Sequence, residues 1–305
     1  SASTLSIAAA RQALERAGIE GKDLGMVIVA TVCGDYKFPS TACLVQNALG
    51  AQCGAFDIQA ACAGFIYGLA TGHQFVASGA AKHVLVVGVE VLSRIIDYTD
   101  RGTAILFGDG AGAVILSASD EPGGVLGFTL GSEGSCPERL WIPVGGSAEP
   151  ITEEHIRQKR HLVQMQGNDV FRFATRIMGT AMEEALANAG MSADEMDLFI
   201  PHQANMRIID AAVKRLNLPP EKVFINIANY GNTSAASVPI ALCEAIDQGL
   251  VYPGAHLGMV AFGAGLSWAA AVVKWTAVTA PTAQHAKERT PVAKRAKKQE
   301  PITVS

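Results

Sequence analysis

A chain of 305 residues, 49% apolar and 17% charged, can bury a large core, and a net charge of -4 gives no basis for binding nucleic acid. Aromatic residues make up only 6% of it, too few for an array of base-stacking platforms. The cysteines at 33, 43, 53, 62, 136 and 243 include no C-x-x-C pair, so no metal is expected, and in so long a chain they read as reduced thiols of a cytoplasmic protein. No run of about 20 apolar residues lacks charges or glycine breaks, and no signal-peptide pattern opens the chain, so no membrane contact is expected.

The chain opens on an amphipathic helix over 3–17 that stops at Gly18, followed by an acidic turn and a buried strand ending at Ala30. A helix over 39–49 and a short strand over 55–59 lead to a turn carrying Cys62, then a helix over 63–78. Apolar strands at 83–90 and 111–118 follow. A strand at 161–166 precedes a helix over 169–188, and the plan then recurs. Leu186 to His202 repeats the helix end, glycine, acidic turn and buried strand seen from Leu14 to Ala30. A helix at 204–216, a strand at 223–227, a special turn, a helix at 233–248 and strands at 256–262 and 267–275 complete the second copy.

Strands alternating with amphipathic helices, written twice, predict an α/β protein with two duplicated mixed sheets and helices in five layers. The halves are expected at 1–150 and 151–276, with residues 277–305 as a basic tail. Six basic residues face two acids in that tail and apolar periodicity is absent, so it is expected to be disordered, with a docking role kept open. The first copy lacks a counterpart of the 161–166 strand, which places that counterpart upstream of Ser1 and predicts that the chain as given lacks an N-terminal segment.

Cys62 lies where an apolar strand-like run gives way to a helix. A thiol at a helix N-terminus is favoured as the thiolate, the form that takes up an acyl group. The same cysteine also reads as a small buried core residue. In the second copy His202 follows a strand and Asn232 lies at a strand-to-helix turn, roughly the place that Cys62 holds in the first. Singly, His202 could cap a strand and Asn232 could be a turn residue. Ligands of open α/β sheets bind outside the carboxyl ends of strands, so a pseudo-twofold could bring all three to one pocket. Cys33, Cys43, Cys53, Cys136 and Cys243 have no motif around them and read as small buried residues.

Ala-Ala-Cys62-Ala-Gly, Pro-His202-Gln-Ala-Asn-Met-Arg-Ile and Tyr-Gly-Asn232-Thr-Ser-Ala-Ala-Ser-Val-Pro resemble motifs of β-ketoacyl-acyl-carrier-protein synthase III. So do Thr99-Asp-Arg-Gly102, Phe107-Gly-Asp-Gly-Ala-Gly-Ala113 and Gln166-Gly-Asn-Asp-Val-Phe171, and the resemblance runs from residue 1 to about 275. It implies a thiolase-like fold. It also implies condensation of a short acyl-coenzyme A with malonyl-acyl carrier protein, acyl-coenzyme A being a substrate, with no cofactor. Cys62 would carry the acyl group, while His202 and Asn232 would donate hydrogen bonds to the malonyl thioester oxygen. The backbone N–H groups of Cys62 and Ala264 would form a second oxyanion hole, where the family often has three glycines and this chain has Gly263-Ala264-Gly265.

The same resemblance implies that Phe107, Met165 and Phe262 line the acyl pocket. Phe38 would cross a homodimer interface and close the partner's pocket, favouring short primers. Arg101 would contact coenzyme A, its usual tryptophan partner belonging to the segment that is missing. Gly167, Asn168 and Asn205 are further coenzyme A or carrier contacts, and Arg207, Lys214 and Arg215 match the basic patch for the acidic carrier. A solvated helix face is the plain reading of those three cations. Two alternatives stay open: a related condensing enzyme or acyltransferase of secondary metabolism, and a non-catalytic ketosynthase subunit. A thiolase is disfavoured, because no second cysteine stands near 263–265.

Overall fold

A computed structural model describes residues 1–277, so all but the first residue of the expected tail lie outside the described residues. Helix α1 (Ala2–Ala17) ends at Gly18, whose φ of 65° releases the chain into β1 (Met26–Ala30). Then come α2 (Thr41–Ala48), β2 (Gly54–Ile58), α3 (Gly64–Ala77) and β3 (His83–Glu90). A short α4 (Arg101–Ala104) precedes β4 (Gly110–Ser117) and β5 (Gly124–Ser132). The middle of the chain holds β6 (Leu140–Trp141), α5 (Glu153–Arg157) and β7 (Gln164–Met165). The second copy holds α6 (Gly167–Ala189), β8 (Leu198–Pro201), α7 (Met206–Arg215), α8 (Ile227–Tyr230), α9 (Ser237–Asp247), β9 (His256–Gly263) and β10 (Ser267–Lys274).

Two four-stranded mixed sheets result, in the orders β2-β1-β3-β4 and β5-β10-β9-β8. In the first, β1 runs parallel to β2 and β3, and β4 is antiparallel to β3. In the second, β8 and β9 are parallel and β10 is antiparallel to β9 and β5. Thus β8, β9 and β10 repeat β1, β3 and β4. Local details repeat too: Gly18 and Gly190 close α1 and α6 with φ of 65° and 67°. Each is followed by a one-turn 3-10 helix with a reciprocal side-chain cap, Glu20 with Asp23 and Ser192 with Glu195.

Side-chain alternation builds the layers. Ile28, Val84 and Val86 of the first sheet face Ile200, Leu257 and Met259 of the second across Phe65, Ile66 and Leu69 of α3 and Val238 and Leu242 of α9. Val27, Val29, Leu85 and Val87 face outward onto α1 and α2. Phe199, Val260, Ala270 and Val272 face outward onto α6 and α7. The order is helix, sheet, helix, sheet, helix, the expected five layers.

Two strand expectations fail. Residues 161–166 yield only β7, which pairs with β6 in a small separate ribbon. The second sheet's far strand is β5 instead, so residues 124–132, read from sequence as part of the first half, belong to the second sheet. Residues 223–227 form no strand: one bridge joins Phe199 and Val223. Past it, the Gln203 side chain replaces a strand partner, its Oε1 accepting from the N–H groups of Asn226 (3.0 Å) and Ile227 (3.2 Å). No helix among the described residues is long and apolar enough to cross a membrane.

Candidate active site

The carboxyl ends of β2, β8 and β9 converge on a cavity of about 250 Å³ whose lining includes Cys62, His202 and Asn232. Cys62 lies in a 3-10 turn (Ala61–Ala63) leading into α3, entered through Ala61 at φ 45°. The equivalent turn of the second copy is Ser234–Ala236, entered through Ser234 at φ 51° and leading into α9. The position matching Cys62 is therefore Ala235, not Asn232, which precedes that turn. Asn232 reaches the cavity because its loop is tied to the first half: its N–H donates to Leu106 O (2.8 Å) and its carbonyl accepts from Gly108 N (2.9 Å).

His202 and Asn232 are both held as donors. Asn232 Oδ1 accepts the N–H of Ser234 at 2.8 Å, which leaves the amide NH2 to donate. His202 Nδ1 lies 2.5 Å from Ser237 Oγ, and that oxygen also accepts the Gln203 N–H at 3.4 Å. With the Ser237 hydroxyl giving its own proton to Nδ1, the imidazole proton stands on Nε2. That Nε2 is buried without a partner among the described residues. Burial pushes the His202 pKa down to about 3, so the ring is neutral and donates through Nε2. Phe262 packs on it edge to face, with ring centroids 5.7 Å apart.

Cys62 departs from expectation. Its place before α3 favours the thiolate, yet burial dominates and pushes the thiol up to about 12; the Ser234 side chain pulls it down and Glu90 pushes it up further. The resting group is a thiol. Facing it, Gly263 has no room for a side chain: a Cβ there would lie 2.6 Å from the Cys62 backbone nitrogen. The Ser267 hydroxyl reaches Ala264 O (2.8 Å) and Ala60 O (3.1 Å), which ties the Ala264 turn to the Cys62 turn.

The cavity also takes in Phe107, Met165, Phe262, Gly167 and Asn205. Asn205 caps α7, its side chain accepting from Arg207 N at 2.9 Å. Phe38 lies off the cavity and is 86% exposed, with Tyr36, Tyr98 and Ile105 also exposed. Arg101 and Asn168 are exposed, with their neighbours Gly102 and Gly167 at the cavity wall. The three α7 cations do different things. Arg207 stacks over the Phe171 ring at 4.8 Å, Lys214 is exposed, and Arg215 is committed to Glu183 on α6 at 2.7 Å. Among the described residues no cluster of His, Cys, Asp or Glu could hold a metal.

Sequence reasoning passed over Glu90, Ser234, Ser237 and Gln203, all buried polar residues at the site. Glu90 had a visible signal, being the acid that closes the apolar run Val84–Val89. The serines stood inside a quoted motif without a role.

The family model for 3-oxoacyl-[acyl-carrier-protein] synthase III matches residues 56–134, and that for the C-terminal part of the same family matches 186–275. The β-ketoacyl-[acyl-carrier-protein] synthase III of Natranaerobius thermophilus is 50% identical over 277 residues, covering 90% of this chain and 84% of that protein. The crystal structure of the Thermus thermophilus synthase III is similar at a TM-score of 0.83 and 44% identity, over 91% of this chain and 85% of that one. The priming β-ketosynthase of the R1128 polyketide pathway is similar at a TM-score of 0.83 and 36% identity, over 90% of this chain and 82% of that one.

Proposed function

The chain belongs to the 3-oxoacyl-[acyl-carrier-protein] synthase III family, and we propose that Cys62, His202 and Asn232 perform its condensation. It is an acyltransferase that condenses acyl-coenzyme A with malonyl-acyl carrier protein to start fatty acid synthesis. Cys62 takes the acyl group and coenzyme A leaves as its thiol. Malonyl-carrier then loses carbon dioxide, and the carbanion attacks the acyl-Cys62 carbonyl to release the β-ketoacyl-carrier.

The observation that carries these roles is the fixed polarity of the pair opposite Cys62. His202 Nε2–H and the Asn232 amide are both held as donors by neighbouring serines. Two neutral donors stabilise the enolate oxygen that forms as carbon dioxide leaves, and each contributes about 3 kcal/mol by analogy with other oxyanion holes. The Cys62 and Ala264 N–H groups serve the acyl-Cys62 carbonyl. Phe107, Met165 and Phe262 bound the acyl chain, and the small cavity suits a short primer. Arg101, Gly167, Asn168 and Asn205 flank the coenzyme A entrance. Arg207 and Lys214 offer charge to the acidic carrier, with Arg215 held back by Glu183. No resident cofactor is required.

The exposed Phe38, Tyr36, Tyr98 and Ile105 favour a homodimer that buries them, in a cytoplasmic protein. Similarity to a polyketide priming enzyme supports a second reading, the same chemistry on a secondary-metabolic carrier. The test is radiolabelled acetyl-coenzyme A followed by malonyl-carrier. Label on Cys62 that chases to acetoacetyl-carrier is the expected result. Label that stays on Cys62 with the fatty acid carrier but chases to a polyketide carrier favours the second reading, and no label overturns both.

A further inference from the structure

His202 and Asn232 come from separate stretches of chain, and two donors that serve one oxygen must be held in a fixed relation to each other. His202 is held from the sheet: its N–H donates to Val260 O of β9 at 2.7 Å, and its ring meets Ser237. Asn232 follows a less regular stretch. Residues 224–226 lie outside any helix or strand, α8 is four residues long, and Gly231 at φ 67° turns the chain into Asn232.

Gln203, the residue after His202, reaches across to that stretch. It is 1% exposed, and its side-chain amide is fully used. Oε1 accepts from Asn226 N at 3.0 Å and from Ile227 N at 3.2 Å. Nε2 donates to Pro201 O at 2.7 Å and to Phe224 O at 3.3 Å. An amide offers two acceptor and two donor positions, and all four are filled. Glutamate would keep the acceptors and lose the donors, and methionine would keep only the length.

These contacts join the two donors by a continuous path. Pro201 ends β8 directly before His202. Ile227 opens α8, and its carbonyl accepts the N–H of Gly231, the residue before Asn232, at 2.8 Å. Glu244 of α9 holds α8 as well, accepting from Asn226 Nδ2 at 2.9 Å and from the Tyr230 hydroxyl. A side chain that merely replaced a strand partner would need its contacts to Asn226 and Ile227. The bond to Pro201 O fixes the same amide to the strand end that carries His202.

We propose that Gln203 is a positioning residue for condensation, setting the place of Asn232 relative to His202 through Ile227 and Gly231. This rests on the reading of His202 and Asn232 as donors to the malonyl thioester oxygen. Gln203 is not among the residues that line the cavity, so it acts through Asn232.

The test compares Gln203→Met with wild type in the two half-reactions of the whole protein. Labelling of Cys62 by acetyl-coenzyme A is expected near the wild-type rate. Condensation with malonyl-carrier is expected to fall about tenfold to a hundredfold, in kcat more than in KM. In the Asn232→Ala background the same substitution should cost less than about twofold, because the group it places is gone. Gln203→Asn, which keeps an amide but shortens its reach, serves in the same way if Gln203→Met does not fold. A folded variant with wild-type condensation overturns the inference. So does equal loss in both half-reactions, or the same loss with and without Asn232, since either marks a support of the fold alone. If Asn232→Ala lowers condensation and Gln203→Met does not, the inference falls and the donor roles stand. If Asn232→Ala by itself leaves condensation intact, the donor role of Asn232 falls and the inference with it.

Discussion

The turns Ala61–Ala63 and Ser234–Ala236 have the same backbone and opposite duties. Each is a single 3-10 turn entered at positive φ, 45° and 51°, and each feeds a central helix, α3 or α9. In the first the middle residue is Cys62, which faces the cavity. In the second it is Ala235, and the flanking Ser234 does the polar work, orienting Asn232 and reaching Glu90. A duplicated fold supplies one backbone device twice, and a few side chains set the copies apart: the Cys62 thiol on one side, the polar Ser234 and Asn232 on the other.

The largest effect separates nucleophile from frame. Cys62→Ser is expected to cut acyl transfer by about a thousandfold or more, read as label uptake from acyl-coenzyme A. Ala235→Cys in that background restores nothing if the two turns are equivalent only as backbone; recovered labelling would break the comparison. Next come the donors. His202→Ala or Asn232→Ala should lower condensation by about a hundredfold to a thousandfold and leave Cys62 labelling near wild type. Equal loss in both half-reactions would mean that the donors also serve acyl transfer.

Ser237→Ala sharpens the same point on a smaller scale. Without its hydroxyl the His202 proton is free to move to Nδ1, and condensation should fall by about tenfold, with kcat affected more than KM. His202 also leaves a mark on stability. Its folded pKa of about 3 lies below its ordinary value of 6.5. Between those values the unfolded chain binds the extra proton, so stability rises with pH across that window and is lost as pH falls through it. Denaturant melts at several pH values should show that slope reduced in His202→Gln. The smallest effect concerns the frame: Gly88→Ala points a methyl at the Ala235 carbonyl, and is expected to cost about 1–3 kcal/mol in a denaturant melt.

Much of this was legible in the chain. Strands and helices with strong periodicity fell within a few residues of expectation, because burial of one face imposes period 2 or 3.6 on the sequence. Cys62, His202 and Asn232 stood in long motifs at strand ends. The errors cluster where local pattern carries little information. Gln164–Met165 lies in an apolar stretch that reads like a sheet strand, yet the place beside β10 goes to the glycine-rich β5. Asn226 and Ile227 found their partner in the Gln203 side chain, a contact across 23 and 24 residues that no window reveals.

The sequence by itself determined the duplicated α/β plan and the identity of the three residues at the cavity, since both are written in periodicity and in contiguous motifs. Only the tertiary structure decided their protonation and polarity. Burial among the assembled layers pushes the Cys62 thiol up, Ser237 meets the His202 Nδ1, and Ser234 reaches the buried Glu90 across 144 residues of chain. Desolvation and hydrogen-bond direction depend on neighbours distant in sequence, and those neighbours meet only when the two sheets pack.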